Sequence, residues 1–89
     1  MGGGPDGIGG PVPTLRLFAA ARVAAGTASA TVAGTTVGEV LDRAGDRFGA
    51  EFKAVLARSR VWLNGSPASG PEPVADGDEV AVLPPVSGG

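Results

Sequence analysis

The sequence predicts an α+β domain, a mixed sheet of about four to five strands packed on one main helix. Three observations carry this. Short alternating runs recur at Thr14–Phe18, Arg60–Asn64 and Glu79–Leu83, the period-2 pattern of half-buried strands. One segment places Val37, Val40, Leu41, Ala44 and Phe48 on a single helical stripe, as an amphipathic helix requires. Glycine, proline and an Asn-Gly pair punctuate the chain between these segments.

Each element follows in order. Residues 1–12 are dominated by Gly and Pro, with too few apolar side chains to fold, and are predicted to be disordered. The folded domain spans 13–83. Its first strand is Thr14–Phe18, with Leu15 and Leu17 on one face. Ala19–Ala25 is alanine-rich and stops at Gly26, the pattern of a short helix. Thr27–Ala33 reads as a second strand. The main helix follows, with Thr36 as N-cap and Glu39 three residues on, the spacing of a capping box. Glu39 and Arg43 form a favourable i,i+4 pair, and Asp42, Arg43, Asp46 and Arg47 make a solvated face. Gly38 and Gly45 each cost this helix about 1 kcal/mol relative to Ala, so tertiary packing must hold it. A second helical piece covers Glu51–Ser59, with Phe52, Val55 and Leu56 on one side.

Arg60–Asn64 is the third strand, with Val61 and Leu63 on one face and Trp62 on the other. Asn64-Gly65 is a hairpin signal, and Ser66–Ala75 reads as loop with at most a short edge strand. Asp76-Gly77-Asp78 turns the chain into the last strand, Glu79–Leu83, with Val80 and Val82 facing inward. A hairpin, a crossover helix and two more strands form a sheet with one covered face. That is the β-grasp, or ubiquitin-like, layout.

Composition narrows the function. The 89 residues suit one small domain. The chain has no Cys and no His, which removes the usual nucleophile, general base and metal ligands. Its net charge of −2 argues against nucleic acid. No run is long enough to span a membrane and no signal-peptide pattern is present, so a cytoplasmic protein is expected. The acidic group Asp76, Asp78 and Glu79 is better explained by a turn entering a strand than by a metal site.

The reactive group is expected at the C-terminal tail, 84–89. Pro84 and Pro85 stop the last strand and favour an extended path. Val86, Ser87, Gly88 and Gly89 follow. Gly88 and Gly89 lack Cβ, so a partner enzyme can close around the backbone and reach the Gly89 carboxylate. By alternation, Phe18, Trp62, Ala81 and Leu83 are candidate docking residues on the outer face of the sheet, with ordinary core or helix packing as the alternative for Trp62 and Phe18. Arg22 is a weaker candidate.

The ending Asp76-Gly77-Asp78-Glu79-Val80-Ala81-Val82-Leu83-Pro84-Pro85-Val86-Ser87-Gly88-Gly89 resembles that of the MoaD/ThiS sulfur carriers, and Pro-Pro-Val-Ser-Gly-Gly is most similar to the MoaD branch, the small subunit of molybdopterin synthase. Phe18-Ala19, Arg22 and Gly26 resemble a second family segment, Phe-Ala-x-x-Arg-x-x-x-Gly, and Asn64 after an apolar strand fits as well. The resemblance spans Thr14 to Gly89.

It implies a β-grasp carrier that is not itself an enzyme and binds no cofactor. It also implies an E1-like partner of the MoeB/ThiF type, which consumes ATP and Mg²⁺ to adenylate the carboxylate of Gly89. A sulfur donor then leaves a thiocarboxylate, with Gly88, Ser87, Val86, Pro85 and Pro84 entering the partner. The sulfur acceptor would be a MoaE-like synthase making molybdopterin. A thiazole synthase, a cysteine pathway or a secondary-metabolite pathway are alternatives, as is a ubiquitin-like modifier that forms isopeptide bonds.

Overall fold

The computed structural model describes residues 10–85; the expectations for residues 1–9 and for Val86, Ser87, Gly88 and Gly89 lie outside the described residues. Alternation of apolar side chains builds the strands β1 (Thr14–Leu17), β2 (Ser29–Thr31), β3 (Arg60–Leu63), β4 (Ser66–Pro67) and β5 (Glu79–Leu83). They form one sheet in the order β2-β1-β5-β3-β4. β1 and β5 are parallel, and the other neighbours antiparallel. Three helices complete the domain: α1 (Ala19–Ala25), α2 (Val37–Phe48) and α3 (Ala50–Leu56). This is the β-grasp architecture that the alternating runs and the amphipathic helix predict.

The register explains the core. Leu15 and Leu17 lie opposite Val80 and Val82, and Val61 and Leu63 flank the same two valines from the other side. This apolar row packs against Val37, Val40 and Ala44 of α2 and Phe52 and Val55 of α3, all buried. Phe52 is fully buried and meets Phe48 edge-on, with ring centroids 5.2 Å apart, a favoured geometry for two aromatic rings. The core contains no buried polar or charged side chain among the described residues.

Several expectations need correction. Pro11 and Val12 fall in the segment predicted to be disordered, yet both are fastened to the body. The Pro11 carbonyl accepts from Gly34 N–H at 3.1 Å, and Val12 N–H donates to Asp76 Oδ1 at 2.7 Å. β2 is shorter than Thr27–Ala33, because the Thr27 hydroxyl bonds the backbone of Ser29 and turns the chain locally. α3 stops at Leu56 rather than Ser59, where Arg58 N–H and Ser59 N–H make tighter i→i−3 bonds to Val55 and Leu56. Arg43 and Arg47 are exposed but not merely solvated. Arg47 Nη1 donates to the Thr31 carbonyl at 3.0 Å, and Arg43 Nη1 lies 3.5 Å from the Ala33 carbonyl, so both tie α2 to the β2 edge.

The start of α2 is the most heavily bonded point of the fold. A helix leaves its first N–H groups without intrahelical partners. Here Val37 N–H donates to the Glu72 carbonyl, Gly38 N–H to the Gly70 carbonyl and Glu39 N–H to Thr36 Oγ1, at 2.8–3.1 Å. Thr36 caps the helix as expected, and the reciprocal half of the capping box is shifted by one residue, since the Glu39 carboxylate accepts from the N–H and hydroxyl of Thr35. Loop 68–75 therefore closes the helix end, and its Val74 enters the core. Close approach also accounts for Gly38, where a Cβ would lie 3.2 Å from the Gly70 carbonyl, and for Gly45, where it would lie 3.0 Å from Lys53 Cγ.

Two predictions follow from this packing. A Cβ on buried Gly34 would sit 2.7 Å from Val40 Cγ2 and 3.0 Å from Val40 N, so Gly34→Ala should lower the unfolding free energy by about 1–3 kcal/mol in urea titrations. The Glu39 carboxyl is held below its ordinary value of 4.5 by the Thr35 N–H first, the Thr35 hydroxyl next and Arg43 last. A depressed folded-state pKa stabilises the fold above the ordinary value and loses that contribution as pH falls through the lowered one. Denaturation curves for Glu39→Gln should thus show a shallower loss of stability than the parent chain as pH falls below 4.5.

Candidate functional site

Alternation along β5 decides what this site is made of. Val80 and Val82 point into the core, so Ala81 and Leu83 face the open side of the sheet. Antiparallel pairing sets Trp62 opposite Ala81 and Arg60 opposite Leu83. At the end of β1 the chain breaks sharply. Phe18 is extended and caps α1, and Ala19 takes φ +50°, a left-handed conformation that costs a non-glycine residue about 1–2 kcal/mol. Phe18 N–H donates to the Val82 carbonyl at 3.3 Å, and the Phe18 carbonyl accepts from Ala21 and Arg22. The break leaves the Phe18 ring 42% exposed beside β5.

The four docking candidates therefore come together. Phe18, Trp62, Ala81 and Leu83, with Gly65 and Glu79, line a shallow hollow of about 330 Å³. Its apolar character is local, because Glu79 is paired with Arg16 at 3.2 Å at the other end of the strand. A second hollow, of about 430 Å³, continues from it where the chain leaves the sheet. It is lined by Leu83, Pro84, Pro85, Trp62, Arg58 and Arg60. Pro84 and Pro85 are thus at the surface that Trp62 and Leu83 define, and residues 86–89 continue from this point.

The helical layer holds a larger hollow, about 510 Å³, between α2 and α3, lined by Leu41, Asp42, Gly45, Asp46, Lys53, Leu56 and Ala57. It lies across the sheet from Trp62, and the Asp46–Lys53 pair at 3.3 Å satisfies charges on its wall. Size alone does not make it the site. The smaller hollows on the open sheet face join the exit of the tail, and this one does not.

Arg22 is exposed on α1 and lines neither sheet-face hollow. Asp76 and Asp78 serve the turn: Asp78 Oδ2 accepts from Ala75 N–H at 2.8 Å, and Asp76 holds Val12. Asn64 is a fastener. Its Oδ1 accepts from Glu79 N–H and its own N–H donates to the Glu79 carbonyl, at 2.9 and 2.8 Å. Arg58 and Arg60 were not distinguishable as site residues from their local sequence. The β3–β5 register is the signal that places them beside the prolines.

The faces are separable by mutation. Val82→Glu buries an unpaired charge in the core and should abolish cooperative folding. Leu83→Glu, one residue on and on the open face, should shift the thermal midpoint by no more than about 4 °C. Thermal melts of the two variants check the assignment.

Comparison with known proteins gives the family and the fold. The ThiS family model matches residues 15–89. A search of curated protein sequences finds no match. Among solved structures, the chain is similar to the small archaeal modifier protein SAMP1 of Haloferax volcanii, with 33% identity and a TM-score of 0.79 over 88% of this chain and 99% of that one. It is similar to a chain of the BexX/CysO complex of Amycolatopsis orientalis, with 30% identity and a TM-score of 0.71 over 86% and 99%. It also resembles a Pyrococcus furiosus protein assigned as molybdopterin converting factor subunit 1, with 26% identity and a TM-score of 0.76 over 85% and 99%.

Proposed function

The chain belongs to the ThiS family of ubiquitin-like sulfur carriers, and from that premise we propose that its working group is the carboxylate of Gly89, activated and sulfurated by partner enzymes. The observation that carries this reading is the junction of the apolar sheet face with the tail exit at Leu83, Pro84 and Pro85. A partner that docks on Trp62 and Leu83 is already beside the segment that leads to Gly89.

The chemistry asks nothing of the carrier's side chains. A carboxylate is a poor acyl donor. Attack of the Gly89 carboxylate on the α-phosphate of ATP, in an E1-like enzyme that also binds Mg²⁺, releases pyrophosphate and forms an acyl adenylate. A sulfur donor then displaces AMP and leaves a thiocarboxylate. Without Cys or His in the carrier, its own contribution as a nucleophile is the Gly89 carboxylate, and the sulfur nucleophile comes from the partner side. The carrier supplies a narrow backbone and a docking face.

The acceptor in this reading is a precursor of molybdopterin, held by a MoaE-like synthase. The Pro-Pro-Val-Ser-Gly-Gly ending and the likeness to a molybdopterin converting factor subunit support it. A thiazole synthase, or a partner like the one in the BexX/CysO complex, is the alternative acceptor. The similarity to a protein named a modifier supports a second reading, in which the activated Gly89 forms isopeptide bonds with lysines.

Intact-mass spectrometry separates these. Incubation with an E1-like enzyme, ATP and a sulfur donor should yield a chain in which one terminal oxygen is replaced by sulfur, while removal of Gly88-Gly89 should abolish the change and leave the melting curve intact. A chain that stays a carboxylate under conditions that charge another ThiS-family carrier would sink the reading. Gly89-dependent conjugates that survive thiol treatment would favour the modifier.

A further inference from the structure

We propose that Arg58 and Arg60 form a basic rim at the tail exit that docks against acidic side chains of the activating enzyme around its tail slot. The inference rests on the carrier reading above and assigns to that site an electrostatic half that the apolar face does not supply.

Other arginines of the chain are engaged within the fold. Arg16 is paired with Glu79, Arg43 with Glu39, and Arg47 donates to the Thr31 carbonyl. These three brace the fold. Arg58 and Arg60 make no ion pair and no side-chain hydrogen bond to another described residue. Both are exposed, and both line the hollow that holds Pro84 and Pro85. Two like charges lining one hollow repel one another, and no contact among the described residues accounts for the pair.

Strand register makes the separation of charge along the sheet systematic. β5 begins in acid, at Asp76, Asp78 and Glu79, and ends at Leu83, opposite Arg60. Four residues of strand span about 13 Å, beyond the screening length of about 8 Å at physiological salt. The acidic turn therefore does not neutralise the basic end. No acidic side chain lines the exit hollow among the described residues, although the chain as a whole carries a net charge of −2. A basic rim on an acidic protein selects an acidic patch and sets the orientation of approach. Trp62 and Leu83 lie in the same hollow, giving an apolar centre with a charged border, the usual anatomy of a protein interface. Arginine suits the border, since its planar fork pairs with carboxylates in two-point contacts.

The test is ATP–pyrophosphate exchange by an E1-like enzyme that adenylates the parent chain, with carrier concentration and salt both varied. The double variant Arg58→Glu/Arg60→Glu should raise the carrier KM by about tenfold or more with kcat changed little, and the parent KM should rise with salt while that of the variant rises less. Arg58→Lys/Arg60→Lys keeps the charge and should stay within about threefold of the parent KM. Thermal melts exclude misfolding of either variant. An unchanged KM in the charge-reversed protein overturns the inference while leaving the carrier reading in place. A lowered KM also overturns it, because it would mean that the arginines hold the chain's own tail. Failure of every E1-like enzyme tried to exchange with the parent chain removes the carrier reading and this inference together.

Discussion

The register of β5 is the constraint on which the rest of the structure depends. A shift of one residue would exchange Val80 and Val82 with Ala81 and Leu83, turning the core valines outward and burying the open-face pair. The strand is locked from both ends. Thr14 N–H donates to the Asp78 carbonyl and Asn64 clamps Glu79 through two hydrogen bonds, while Phe18 N–H reaches the Val82 carbonyl. Parallel pairing with β1 and antiparallel pairing with β3 then hold it in the middle of the sheet. Because Pro84 follows directly, the same register decides the direction in which the tail leaves and which side chains stand beside it.

The helical layer makes that register worth keeping. The apolar stripe of α2 covers the inner row of valines and leucines, but a helix carrying Gly38 and Gly45 is a weak helix in isolation. Its N-terminus is held instead by Thr35, Thr36 and the carbonyls of Gly70 and Glu72. The two glycines are part of this arrangement, since Gly38 lets the loop backbone approach and Gly45 admits the Lys53 stem. The loss of helix propensity is local, whereas part of what offsets it, the carbonyls of Gly70 and Glu72, comes from a distant segment of the sequence.

This difference in range explains what was legible in the sequence. The strands, the main helix, the Asn64-Gly65 turn and the inward placement of Val80 and Val82 depend on short-range periodicity and could be read directly. The φ of +50° at Asn64 and +85° at Gly65 is the mirror-image turn that Asn-Gly favours. The convergence of Phe18, Trp62, Ala81 and Leu83 was legible because alternation assigns faces, and the central β5 brings the faces of three strands together. The roles of Val74, of the Arg47–Thr31 contact and of Pro11 were not legible, because each depends on a contact between segments with no shared local pattern. Arg58 and Arg60 belong to the same class. As sequence they are two ordinary surface arginines, and only pairing across β3 and β5 puts them beside Pro84.

A division of labour between body and tail follows from the magnitudes. In the proposed carrier role, a partner that took residues 86–89 into a slot would fix their backbone, at up to about 1–2 kcal/mol per residue, or roughly 4–8 kcal/mol in all. Gly88 and Gly89, which give the slot its narrow access, contribute no apolar side chain toward offsetting this. At about 25 cal/mol per Å², the balance needs roughly 160–320 Å² of apolar surface, which has to come from outside the tail. The open face around Trp62, Ala81, Leu83 and Phe18 is apolar, adjoins the exit and is held rigid by the sheet. Pro84 and Pro85 reduce the entropy left to lose at the joint between the two parts. In the proposed carrier role, tail and face would act as two halves of one binding surface: the tail would give access to the carboxylate, and the face would offset the cost of that access.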